Sequence, residues 1–202
     1  MRLTTTMFMT LDGVVQAPGG PDEDRAGGFD LGGWGASYFD ETVDAYMTGI
    51  FEHVDAFLLG RKTYDIFATY WPHQSGDPIA DGLNGLPKHV VTSRTDELTW
   101  NGARRLDGSK LVEEVTALKA QPGRELQVHG SARLVGSLQR EGVIDTYRLL
   151  IFPVVLGRGQ RLFEDGTVPA ALTLTDSRTS ATGVTMQTYD AAGEPTFGTV
   201  GA

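Results

Sequence analysis

A chain of 202 residues, 40% of them hydrophobic and 21% charged, can bury one sizeable core, and we read a single domain over residues 1–202. Its 17 Lys and Arg stand against 26 Asp and Glu, a net charge of −9, so its field repels phosphate backbones and anionic lipid; nucleic acid and membrane surfaces are excluded as partners. The lack of cysteine removes disulfides, thiolate chemistry and cysteine-ligated metals, and no stretch approaches the ~20 apolar residues that span a bilayer, so a soluble cytoplasmic protein is expected.

The first strand is predicted over about Arg2 to Leu11. The stretch "DGVVQAPGGPDEDRAGGFDLGGWGAS" that follows is rich in Gly, Pro and acids and has no periodicity, which makes it a long loop. With only one strand before it, it reads as a lid or binding loop rather than a linker. Phe39, Val43, Met47, Ile50 and Val54 then recur at helical spacing, and Ser37 with Asp40 three residues on has the form of a capping box, placing the helix start near Tyr38. "AFLLG" predicts a short buried strand, and "RKTYDIFATYW" a helix with Tyr64, Phe67, Ala68 and Trp71 on one face. "KHVVTS" is the next strand, a weaker one covers Leu98 to Leu106, and a helix runs from about Ser109 to Ala120 with Gly123 as its stop. A strand "ELQVHG" and a helix to about Arg140, ended by Gly142, come next. Finally "IDTYRLLIFPVVLG" reads as one long strand, and stretches near Ala171 to Ser177 and Val184 to Asp190 flank "TSATG" as a hairpin. This order predicts an α/β domain, a mostly parallel sheet flanked by helices with antiparallel C-terminal strands, whose ligands sit beyond the carboxyl ends of the strands.

Three of those strand ends share a chemistry: "LLGRKTYD", "VVTSRTD" and "VHGSARL" each combine a small or hydroxyl residue with an arginine. A helix N-terminus presents unpaired N–H groups and partial positive charge, so Gly60 to Thr63 and Gly130 to Arg133 are suited to phosphate oxygens. Ser93 and Arg94 add a hydroxyl and a fork-shaped cation. Taken singly, each has an ordinary reading as first-turn, turn or packing chemistry, and neither a Walker loop nor a G-x-G-x-x-G fingerprint is present. Their joint occurrence carries the reading.

With these motifs in order, together with "TLDGVV" and "DTYRLLIFPVVLGRGQRLF", the chain resembles the dihydrofolate reductase superfamily. More closely it is similar to the branch containing the reductase domain of bifunctional riboflavin-biosynthesis deaminase/reductases. The resemblance implies that fold, a homodimer and NADPH as cofactor. Arg61, Lys62 and Thr63 after Gly60 look like 2′-phosphate and pyrophosphate contacts, Ser93 and Arg94 like a second 2′-phosphate clamp, and His129, Gly130, Ser131, Ala132, Arg133 and Leu134 like the pyrophosphate turn. In dihydrofolate reductases that turn holds a glycine pair with a cis peptide; here it reads Gly130-Ser131. The riboflavin-pathway reductases place a substrate-contacting glutamate just before the turn, where this chain has Val128 and His129.

Hydride transfer also calls for a proton source. Asp12, where the first strand enters the loop, and Asp44, sixteen residues before Gly60 where dihydrofolate reductases carry the pterin-binding carboxylate, are the catalytic candidates. Asp12 reads equally as an Asx-turn residue and Asp44 as helix surface. Trp34 and Phe39 form either an aromatic wall for a small planar substrate or core plugs. No pair of the four histidines has metal-ligand spacing, and no metal is expected. The leading expectation is an NADPH-dependent reductase of a small heterocyclic or carbonyl substrate; the alternatives are a noncatalytic nucleotide-binding or ligand-sequestering protein and a true dihydrofolate reductase.

Overall fold

Alternate residues along the strand Val54–Gly60 serve two different layers: Phe57 and Leu59 join one apolar cluster, Ala56 and Leu58 the other, and all four are buried. A strand covered on both faces belongs in the middle of a parallel sheet. The computed structural model, which describes residues 1–201, places it there.

In chain order the strands are β1 (Arg2–Thr10), β2 (Val54–Gly60), β3 (Lys88–Val91), β4 (Ala103–Leu106), β5 (Glu125–His129), β6 (Thr146–Phe152), β7 (Leu172–Thr179) and β8 (Thr185–Ala191). The helices are α1 (Glu41–Phe51), α2 (Arg61–Tyr70), α3 (Pro78–Gly85), α4 (Leu111–Lys119) and α5 (Ala132–Arg140). The sheet order is β4-β3-β2-β5-β1-β6-β8-β7; β1 to β6 pair in parallel, and β8 and β7 add antiparallel. This is the mostly parallel sheet with antiparallel C-terminal strands that the sequence predicts. Val43, Met47 and Ile50 of α1 and Leu83 of α3 pack on one face, while Val115 and Leu118 of α4 and Val135 and Leu138 of α5 pack on the other.

Four elements differ from expectation. The first helix starts at Glu41, because Asp40 caps it by accepting from Thr42 N and Val43 N at 3.0 Å each, while Ser37 lies in a preceding 3-10 turn, Ala36–Tyr38. Helix α3 has no counterpart in the predicted elements. Asp77 caps it and Pro78 opens it, a start signal that two glycines inside the following turns obscure. The weak strand shrinks to β4, since Trp100 is drawn inward by hydrogen bonds from its own N to Tyr64 Oη (3.0 Å) and from its Nε1 to Asn84 Oδ1 (2.9 Å). Strand β6 stops at Phe152, before Pro153, which has no N–H to continue a ladder.

The long loop is ordered by its own polar contacts. Trp34 Nε1 donates to Gln16 O (2.8 Å), and the Gln16 amide donates to Asp24 O and Ala26 O (3.2 and 3.0 Å). Asp24, its side chain mostly buried, pairs with exposed Lys62 (2.5 Å), and at the surface Asp30 pairs with Arg158, fastening the loop to α2 and to the segment after β6.

Candidate functional site

Strand β2 passes straight into α2 at Gly60-Arg61, and β5 turns into α5 through Gly130 and Ser131, both left-handed at φ 69° and 65°. Gly130 accepts that conformation freely, whereas Ser131 holds it at a cost of roughly 1 kcal/mol or more. No peptide among the described residues is cis, so two left-handed residues make the turn. Its hydroxyl accepts from Gly60 N (2.9 Å) and donates to Thr63 Oγ1 (2.6 Å). A side chain at position 60 would put its Cβ 2.9 Å from Ser131 Oγ, so this close approach requires glycine. The two helix starts are thereby tied together. Neither α2 nor α5 has a side-chain cap or an acid in its first turn, although α1 and α3 have both. Two positive dipole ends with uncapped amides therefore face one place.

The third strand end joins through charge. Arg61 donates from Nε to Asp65 Oδ1 (2.7 Å) and from Nη2 to Asp96, while Arg94 donates to Asp96 Oδ1 and Oδ2 (3.0 and 2.9 Å) and to Asp65 Oδ2 (3.3 Å). Two arginines and two aspartates thus form one neutral quartet. The Arg61 guanidinium is the main reason the Asp96 carboxyl is brought down to about 2. The Arg61 side chain is only 15% exposed, and its Nη1 is buried without a hydrogen-bond partner. Thr92 Oγ1 accepts from Arg94 N (3.1 Å), which fixes the turn that carries exposed Ser93. Lys62 reaches the long loop, Ala132 is half-buried, Arg133 is exposed and Leu134 is buried.

Beyond the glycine turn lies an aromatic cluster around His129. The rings of Phe8 from β1, Phe51 from α1 and Phe67 from α2 stand 6.0, 5.9 and 5.8 Å from the imidazole. Phe39 packs on Phe8 at 5.5 Å and is 39% exposed, and half-buried Trp71 packs on Phe67 at 6.2 Å. Removal from water among apolar rings pushes the His129 pKa down to about 4, so the ring is neutral at physiological pH. Its Nδ1 lies 3.4 Å from Gln127 Oε1, and Gln127, fully buried, is itself fixed by donating from Nε2 to Thr6 Oγ1 (3.2 Å).

The other predicted residues separate by role. Trp34 is buried inside the loop, edge-on to Phe152 at 5.3 Å, and is a plug; Phe39 stays on the rim. Asp12 accepts from Thr10 Oγ1 (2.7 Å), Leu156 N (3.1 Å) and Gly157 N (2.7 Å). Burial pushes its carboxyl up, but these bonds outweigh that and bring it down to about 2, leaving no proton to give at neutral pH. It works as a clamp between the ends of β1 and β6. Asp44 is exposed in the first turn of α1, and seven residues of helix put it about 20° around from Phe51 and roughly 10 Å further up the axis. The sequence reading missed Asp65, Asp96, Phe8, Phe51 and Gln127. Asp65 was accessible as an i, i+4 partner of Arg61.

The family model of the RibD C-terminal domain matches residues 2–186. The chain belongs to that family. This RibD C-terminal domain is 30% identical over 192 residues to the uncharacterized protein YyaP of Bacillus subtilis (strain 168), covering 93% of this chain and 94% of that one. Among solved structures it is similar to a Shewanella sp. PV-4 protein assigned to riboflavin biosynthesis (TM-score 0.74, 22% identity, 95% and 99% of the two chains). It also matches Enterococcus faecalis dihydrofolate reductase complexed with NADP(H) (TM-score 0.59, 13% identity, 94% and 96%). A third match is a Thermotoga maritima diaminohydroxyphosphoribosylaminopyrimidine deaminase/5-amino-6-(5-phosphoribosylamino)uracil reductase (TM-score 0.62, 11% identity), of which it covers 56% with 95% of its own length. The fold is thus dihydrofolate reductase-like.

Proposed function

We propose that this RibD C-terminal domain is an NADPH-dependent reductase that passes a hydride to a small planar substrate bearing a C=N or C=O bond. The observation that carries the reading is the convergence of three strand ends: Ser131 bonded to Gly60 and Thr63, and Arg61 joined to Arg94 through shared aspartates. A dinucleotide needs a cradle of amides for its pyrophosphate and cations for a 2′-phosphate, and the residues fit both demands. The uncapped starts of α2 and α5 would hold the pyrophosphate. Arg61, whose buried Nη1 lacks a partner, would hold the 2′-phosphate with Ser93 and Arg94. The family and the NADP(H)-bound neighbour of the same fold support the same choice.

The bound cofactor would supply the hydride from its nicotinamide ring. The protein's part is placement and exclusion of water: Phe8, Phe39 and Phe67 would hold a flat ring against the turn, with His129 presenting one donor and one acceptor to its edge. Calorimetric titration with NADPH and with NADH tests the reading. NADPH should bind more tightly, and Arg61→Ala or Arg94→Ala should remove roughly tenfold or more of that advantage. Equal affinity for the two cofactors refutes the 2′-phosphate assignment.

A further inference from the structure

Charge is distributed unequally between the two ends of the cleft. Residues 26–60 and 63–87, which supply the outer half of the long loop, α1, α2 beyond Lys62, and α3, contain no Lys or Arg. What charge they carry is acidic apart from two histidines. The start of α1 is closed to anions three times over, since Asp40 occupies its amides and Glu41 and Asp44 sit in the first turn. The start of α3 is likewise occupied by Asp77 and followed by Asp81. Phosphate or carboxylate placed against the starts of α1 and α3 would find no cation on these segments and no free amides, only carboxylates at helix termini whose dipoles would otherwise have attracted it.

The same end offers much to a flat apolar ring. Phe8, Phe51 and Phe67 surround His129 at contact distance, and Phe39 and Trp71 extend the lining to solvent. The polar group at the floor is an imidazole held by Gln127. It is uncharged there, so it recognises a ring carbonyl or N–H without demanding a counter-charge.

Building on the reductase reading, we propose that the substrate is a planar aromatic molecule without phosphate or carboxylate, stacked among Phe8, Phe39 and Phe67 with one polar edge on His129. The phosphoribosyl group in the name of the Thermotoga neighbour's substrate marks the contrast. Such a group would have to lie against the acidic walls.

The test uses the whole chain and two probes that differ by one charge, 1,4-naphthoquinone and 1,4-naphthoquinone-2-sulfonate, with binding read by quenching of tryptophan fluorescence. The neutral ring should bind at least about tenfold more tightly than the sulfonate. Phe39→Lys, at an exposed rim position, should tighten the sulfonate by supplying the missing cation and weaken the neutral ring by removing one stacking partner; a sulfonate affinity that does not rise counts against the proposal. Equal affinities, tighter sulfonate binding, or binding of neither probe overturns the proposal. NADPH titration of the same sample keeps the two readings apart. NADPH binding with no discrimination between the rings sinks only the substrate class, whereas ring discrimination without NADPH binding sinks the reductase.

Discussion

His129 couples the aromatic cluster to acid stability. Three phenyl rings and no carboxylate surround it, so its pKa falls from 6.5 to about 4. In the unfolded chain the ring regains its ordinary value, so between pH 6.5 and 4 the unfolded state binds more protons than the native one. Stability from this residue is complete above pH 6.5 and is lost as pH falls through that window. The pKa difference sets the loss at roughly 2 kcal/mol by pH 5 and about 3 kcal/mol below pH 4. His129→Phe keeps an aromatic ring among aromatic neighbours and removes the titration. Urea unfolding followed by tryptophan fluorescence, at half-unit steps from pH 7.5 to 4.5, should give a wild-type-minus-variant difference that is flat above pH 7 and bends downward below 6.5. Contributions from the carboxylates cancel in that difference. A difference that stays flat to pH 4.5 would show that the imidazole is charged or solvated in the native state, and the neutral recognition group among the rings would fall with it.

Replacing Asp96 by Asn leaves the Arg61–Arg94 pair with one carboxylate instead of two; parallel calorimetry should find the NADPH-to-NADH affinity ratio raised roughly fivefold or more. An unchanged ratio would mean the quartet lies away from the 2′-phosphate. Lys88 is fully buried and donates to Asn84 O, Leu86 O and Asn101 O (3.1, 2.8 and 2.9 Å), with Trp100 at 4.5 Å under its ammonium. Burial pushes its pKa down to about 8. Lys88→Met orphans three carbonyls and should lower unfolding free energy by about 3 kcal/mol in urea titrations at pH 7; a loss under about 1 kcal/mol would assign those carbonyls to solvent.

The parts of the fold legible in the sequence were those with a local cause. Gly60 and Gly130 mark strand-to-helix switches because a backbone must pass close or turn left-handed there, and such demands show in a single residue. Helix α3 was hidden because Gly82 and Gly85 lower its propensity, and packing of Ala80 and Leu83 compensates only in three dimensions. The convergence of the arginines was readable as a set, but their neutralisation by Asp65 and Asp96 was not. One acid is a helix turn away, while the other bridges residues 35 apart. The aromatic cluster stayed invisible for a related reason. Phe8, Phe51 and Phe67 each fit the apolar period of their own element, and only the sheet order brings β1, α1 and α2 around the end of β5.

The fastening of the long loop is divided between two kinds of bond. Near Trp34 and Gln16 it is held by buried hydrogen bonds that reach the Asp24 carbonyl, while further on it is held by Asp30–Arg158, both of whose side chains lie in water. A pair of that sort contributes at most about 1 kcal/mol and weakens as counter-ions accumulate. Ionic strength therefore acts as a throttle on this cover: brine loosens the stretch around Asp30 and leaves its root in place, so that stretch gains freedom without the domain giving up its shape.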